Sequence, residues 1–440
     1  MADGATRKSW WLEGNFAPVE REVEAFDLPV EGALPPELSG VFMRTGPNPA
    51  RAESPHWFLG DGMIHGLRLE NGKARWYRNR YVETKLRKEN IAPRDPSIFM
   101  DKAASTANTN IVRHAGRIFA LEEAHFPYEV TPELATTGAV DFGGKLKTAI
   151  TAHPKICPET GEMLAFGYAF MPPFLTYHRF DAEGRLVQSE EIPVGGPTMI
   201  HDFCATRTRV IFMDLPIVFD MERAMAGDMP YRWSDEYPAR LGVMPRNGTA
   251  KDLVWFPIPS CYIFHPLNAY DDGDAIVLDV ARYETMWVKG FDTPAHLHRF
   301  RLDLKTGRAK GETLDDLPIE FPRIRESKAG LRHRFGYAIT THADDDAGFK
   351  LGTRIVKFDL DRGKTSVCEL GRGRFPSESV FAAAGVDEDA GYLLSIVYDA
   401  ARGGSEFIAL DAGDIGKGPI ARVPLPQRVP FGFHGAWFAD

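Results

Sequence analysis

The chain has 440 residues, 44% hydrophobic and 26% charged, which is ordinary for a globular protein and excludes disorder and collagen-like structure. Lys and Arg number 52 against 61 Asp and Glu, a net charge of −9, so the basic excess of a nucleic-acid binder is missing. No apolar run reaches the ~18 residues that a membrane-spanning helix needs.

The opening MADGATRKSWWLEGNF lacks the apolar stretch of about 7–15 residues that marks a secretory signal. Cys157, Cys204, Cys261 and Cys368 are widely spaced and form no C-x-x-C, against a zinc ribbon or a thioredoxin-like motif. The expected setting is a reducing cytoplasm with free, buried thiols. At roughly 150 residues per domain the length suggests about three domains, but a propeller spends it on one.

Short β-type runs broken by turn residues dominate the chain. The first clear one is the hairpin around Asn71-Gly72, between Arg68-Leu69-Glu70 and Lys73-Ala74-Arg75-Trp76. Similar strand–turn–strand patterns recur at 111–121, 177–192, 269–283, 297–314, 355–370 and 387–400. Irregular spacing with repeated hairpins predicts a β-propeller whose blades carry unequal insertions; a sandwich with appendages is the alternative. Helical pattern is confined to Ile217–Met225 and a brief stretch near Pro132–Thr136. Two irregular segments, 126–149 and 219–252, read as cap insertions in a single domain spanning 1–440.

No P-loop, G-x-G-x-x-G, H-E-x-x-H, G-x-S-x-G or EF-hand loop occurs. Of the 13 histidines, His296 and His298 share one strand face and read as an exposed pair. His56, His114, His178, His333 and His342 sit among charged or turn residues and read as surface. His153, His201, His265 and His434 differ, since each ends an apolar run beside a residue that ends or bends a strand. In a propeller such strand ends crowd the central axis, where four imidazoles would make a metal site. They are far apart in sequence, so spacing alone does not single them out. Imidazole suits iron, zinc and copper alike.

GVFMRTGPNPA (40–50) and HWFLGDGMIHGLRLENGKARWYRNRYVET (56–84) resemble the opening signature of the carotenoid cleavage oxygenases, a family that includes bacterial lignostilbene- and resveratrol-cleaving enzymes. Further matches follow in order, among them LEEAHFPYEV (121–130), MIHDFCATRTRVIFMDLP (199–216), LPIEFPRI (317–324) and VPFGFHGAW (429–437). The resemblance implies an all-β, seven-bladed propeller with a loop and short-helix cap over one face. It implies nonheme Fe(II) held by His153, His201, His265 and His434, with Glu123, Glu320 and Glu378 hydrogen-bonding His201, His265 and His434 respectively. A ligating imidazole usually donates its other N–H to a carboxylate, which agrees with that arrangement.

The implied reaction splits a conjugated C=C bond with O2 into two carbonyl products. Alkene plus O2 balances without an external electron donor, in keeping with the missing nucleotide motifs. By resemblance to stilbene-cleaving members, Tyr81 contacts the substrate. Glu122 stands where those members carry a Lys that holds the substrate phenol. A phenolic stilbene or phenylpropanoid alkene is the expected substrate, with an apocarotenoid as the alternative. The apolar run Phe170-Met171-Pro172-Pro173-Phe174-Leu175 is read as a connection packed inside the propeller, in preference to a peripheral membrane contact. From other classes, a metal-free propeller binding module and a Ca²⁺-dependent propeller hydrolase compete; imidazoles on the axis disfavour Ca²⁺.

Overall fold

The strands alternate apolar side chains toward both of their faces, because each sheet is covered on two sides. In Met163–Tyr168, Met163 and Ala165 pack toward the preceding blade and Leu164 and Phe166 toward the following one. A strand buried on both faces reads as a continuous apolar run, which is the pattern of MLAFGY. The computed structural model describes residues 9–50, 54, 56–92, 95–226, 229–288, 293–342 and 350–440.

Seven antiparallel sheets radiate around one axis as the blades of a propeller. Between each pair of neighbouring blades lies its own apolar cluster, so the core is a ring of wedges instead of a central mass. The ring is closed by strands from both ends of the chain. Gly435–Ala439 pairs with Gly40–Pro47 in the first blade, with Gly40 opposite Ala439 and Arg44 opposite Gly435. Glu31–Gly32 pairs with Pro419–Pro424 in the last. The predicted hairpin is present, with Glu70 opposite Lys73 and positive φ at both Asn71 (50°) and Gly72 (72°), the conformation of a type I′ turn. All four cysteines are free and buried.

Three expectations need correction. The segment 126–149 is not cap material, because Tyr128–Val130 and Thr136–Ala139 are the outer strands of the second blade. The segment 219–252 is only partly so. Helix Met221–Ala226 and strand Tyr231–Trp233 lie outside the blades, but Arg240–Pro245 is a strand of the fourth. The helical reading of Ile217–Met225 fails in its first half, where Ile217–Phe219 pairs with Tyr231–Trp233, and near Pro132–Thr136, where a turn at Pro132-Glu133 leads into the strand Thr136–Ala139.

Candidate metal centre

Each blade sends an inner strand down the axis, and the four predicted histidines sit at or near the starts of four of them. His153 precedes Lys155–Ile156, His201 precedes Phe203–Ala205, and His434 precedes Gly435–Ala439. His265 lies within Tyr262–Asp272, where the ladder shifts register around Pro266. A proline cannot donate to the ladder, so the strand bulges there. Local bonds fix these positions. The His153 N–H donates to Thr151 Oγ1 at 3.0 Å, and the His434 N–H donates to the Thr109 carbonyl at 3.2 Å.

The structure brings all four imidazoles together, with one ligand nitrogen from each within 4.8 Å of the others. His201 Nε2 stands 3.1 Å from Nε2 of both His153 and His265. The three glutamates are also in place. His265 Nδ1 lies 2.6 Å from Glu320 Oε2, and His434 Nδ1 lies 2.9 Å from Glu378 Oε1. Glu123 Oε1 is 2.5 Å from His201 Nδ1, close in distance but off the line of an N–H···O bond.

These contacts test the fit of a cation. A carboxylate only accepts, so the Nδ1 of His265 and His434 carry the ring protons and their Nε2 atoms are lone pairs. Nitrogens gathered within 4.8 Å suit a shared cation, toward which each imidazole can turn a lone pair. Burial and the neighbouring imidazoles hold His153 far below the ordinary histidine range, and burial brings His434 down to about 4, so both are neutral ligands at pH 7. Burial pushes Glu378 up, but Arg323, His434 and the Gly435 N–H outweigh it and hold this carboxyl at about 2. Three glutamates thus stand beside four imidazoles, a set that fits a dipositive ion of the nitrogen-preferring class.

A further layer escaped the sequence reading. Tyr168 Oη donates to Glu123 Oε2 at 2.5 Å, and Tyr283 Oη donates to Glu320 Oε1 at 2.8 Å. The Gly435 N–H donates to Glu378 Oε2 at 2.9 Å. Phe321, at φ 52°, stacks its ring 5.3 Å from that of His265. Strain of this kind in a non-glycine residue persists only where the surroundings enforce it.

Above the cluster lies a cavity of about 530 Å³, walled by Trp57, Phe58, Phe264, Phe321 and Phe433 near the ligands and by Phe99, Phe170 and Phe219 further out. Its lining includes Leu86, Ile98 and Ala104 from the segment after Val82, which the sequence reading did not recognise as cap. Glu122 lines it, together with Lys102, His125 and His56. His125 is held between two acceptors, with Nδ1 against Glu122 Oε1 and Nε2 2.9 Å from the Ile98 carbonyl. Both ring nitrogens therefore donate, and His125 is an imidazolium paired with an ionised Glu122. Although burial pushes His125 down, Glu122 more than offsets it and raises the imidazole above its ordinary value.

Tyr81 is not part of this lining. Its ring packs with Val19 and Met63, and its hydroxyl bonds Asn48 Nδ2 at 2.6 Å. The run 170–175 is inside the propeller only at its end, since Phe170 lines the cavity and Met171, Pro172 and Pro173 are exposed, while Leu175 is buried and begins the strand Leu175–Phe180. His114, His178 and His333 are buried and hydrogen-bonded, and not on the surface. His296 and His298 are half-buried and line neither this cavity nor the axial one described below. The side chain of His342 lies outside the described residues. Among the described residues no helix is long and apolar enough to cross a membrane.

The family model for retinal pigment epithelial membrane protein matches residues 16–439. A carotenoid cleavage oxygenase of Mycobacterium tuberculosis is 37% identical, over 99% of both chains. The chain belongs to the carotenoid cleavage oxygenase family. Carotenoid 9,10(9′,10′)-cleavage dioxygenase 1 of Phaseolus vulgaris is 36% identical, covering 98% of this chain and 89% of its own. Among solved structures, the lignostilbene dioxygenase of Pseudomonas brassicacearum matches with TM-score 0.91 at 30% identity, over 98% of this chain and 99% of its own. Cobalt-substituted Synechocystis ACO matches with TM-score 0.85 at 25% identity, over 96% of this chain and 97% of its own. As a member of this family the chain is an oxygenase.

Proposed function

We propose that this oxygenase holds Fe(II) at His153, His201, His265 and His434 and splits a conjugated C=C bond with O2 into two carbonyl products. The observation that carries the reading is the convergence of four imidazoles at the inner end of an aromatic cavity. Bound ferrous iron supplies the redox chemistry that brings O2 to react with an alkene. The protein's own residues do the rest. Glu123, Glu320 and Glu378 orient the imidazoles, and Tyr168 and Tyr283 orient two of those carboxylates. The aromatic walls take a flat conjugated molecule and exclude water from the reacting bond.

For the substrate we favour a phenolic stilbene or phenylpropanoid alkene. Glu122 supports this choice, because its carboxylate, held by His125 and the Ala124 N–H, forms part of the cavity wall. A carboxylate oxygen at an apolar wall accepts a hydrogen bond from a neutral hydroxyl and repels a phenolate. An apocarotenoid, cleaved by the same chemistry, is favoured by the names of the relatives at 36–37% identity. Aerobic incubation of Fe(II)-loaded protein with resveratrol, isoeugenol and an apocarotenal, followed by aldehyde analysis by mass, decides between them. Stoichiometric Fe(II) with no aldehyde from any conjugated alkene ends the proposal.

A further inference from the structure

Two cavities meet at the four histidines, and they differ in kind. Opposite the aromatic one, a cavity of about 430 Å³, more polar than the first and lined by polar and apolar groups alike, runs along the propeller axis. His153 faces only the axial cavity, His201 only the aromatic one, and His265 and His434 face both. The axial cavity begins among exposed residues, Arg113, Pro158, Glu326 and Ser327, and ends on buried His153 and His434. It is therefore a channel from solvent to the ligand cluster, separate from the path of an apolar substrate.

A hydrated dication must shed much of its shell to pass aromatic walls, and polar walls relieve that cost. The basic side chains of the axial channel are engaged by partners. Lys155 Nζ lies 2.7 Å from Asp202 Oδ1, and Arg323 lies 3.4 Å from Glu326 and 3.6 Å from Glu378. Arg246 bonds the Thr206 carbonyl, and Arg113 bonds that of Ala439. Three carboxylates, at the mouth and near the floor, thus offset most of the positive field an entering cation would meet.

We propose that the axial channel is the loading route of the metal. A hydrated divalent cation enters past Glu326, meets the three imidazoles that face the channel, His153, His265 and His434, and is then enclosed by His201. The aromatic cavity stays reserved for substrate. The inference rests on the reading of the four histidines as a metal centre.

The test follows Co(II) uptake by metal-free full-length protein through the visible absorption of the bound ion. Glu326 is exposed, so Glu326→Lys places a positive charge at the mouth, while Arg323 keeps its pairing with Glu378. It is expected to slow uptake about tenfold at low salt, less at high salt, with the final stoichiometry unchanged. Saturating the aromatic cavity with bibenzyl, which has no alkene to cleave and whose binding is read by tryptophan quenching, is expected to leave the rate unchanged. Full final uptake with a rate that bibenzyl lowers, or that Glu326→Lys leaves alone, overturns the route while the metal centre stands. No uptake at equilibrium overturns the metal centre and the route together.

Discussion

Tyr168 and Glu123 share a hydrogen bond of 2.5 Å, through which a cavity wall is tied to the carboxylate that stands beside His201. The bond also fixes which oxygen of Glu123 faces the imidazole. Partners of this kind typically contribute 10–100-fold to metal affinity, and Tyr168 is one step further out. Tyr168→Phe is therefore expected to weaken Fe(II) binding about tenfold. Competition against a chelator of known affinity measures this, with unchanged affinity as the refuting result.

The outer cavity is lined by a run of rings. Phe170 stacks on Phe219 at 5.0 Å and 21°, and meets Phe99 edge-on at 5.6 Å. These rings contact none of the four histidines or three glutamates, so they are expected to hold the substrate equally before and during reaction. Phe170→Ala is expected to raise KM about tenfold while lowering kcat far less. Steady-state kinetics on the accepted alkene checks the split, and a loss confined to kcat would contradict it.

How much of this was legible in the sequence follows from where each residue sits. The four histidines and three glutamates fall inside segments that resemble the family, so they were read by position before any geometry was known. Tyr168 and Tyr283 end the strands Met163–Tyr168 and Ala275–Tyr283, where an aromatic residue looks like ordinary core. Only the fold aims their hydroxyls at Glu123 and Glu320. Tyr81 shows the reverse error, because a motif match says nothing of which face of Lys73–Tyr81 the ring occupies. The outer half of the second blade was mistaken for cap because Tyr128–Val130 and Thr136–Ala139 are too short to display a period. The true cap after Val82 carries one four-residue helix, Lys85–Lys88, and gave no helical signal for the same reason.

Acid and base act on different histidines. Burial places His434 at about 4 against an ordinary 6.5, as it does for His178. Between those values the unfolded chain binds protons that the folded chain refuses, so stability falls as pH drops from 6.5 through 4. His125 has the opposite sign. Its raised value makes the contribution of the Glu122 pair full below 6.5 and lost as pH rises through the folded value. Melting temperatures of metal-free protein are expected to decline steeply between pH 6.5 and 4. His125→Gln is expected to remove part of the decline on the alkaline side. A flat acid limb would refute the neutral-ligand assignment.

The ionised Glu122 makes a demand on the substrate that can be read chemically. A hydrogen bond to a charged acceptor is worth about 1.5–3 kcal/mol, or roughly 10–100-fold in kcat/KM. Resveratrol is therefore expected to exceed its trimethyl ether by that margin with the native chain. Glu122→Ala removes the acceptor and should bring the two within about threefold. Glu122→Lys sets an ammonium against the His125 ring, which then gives up its proton, and the new cation favours a phenolate in place of a neutral phenol. With this variant the kcat/KM profile for resveratrol is expected to shift toward alkaline pH, where the phenol ionises. If the native chain and Glu122→Ala treat phenol and ether alike, the carboxylate faces no substrate hydroxyl, and the case for a phenolic alkene over an apocarotenoid is lost.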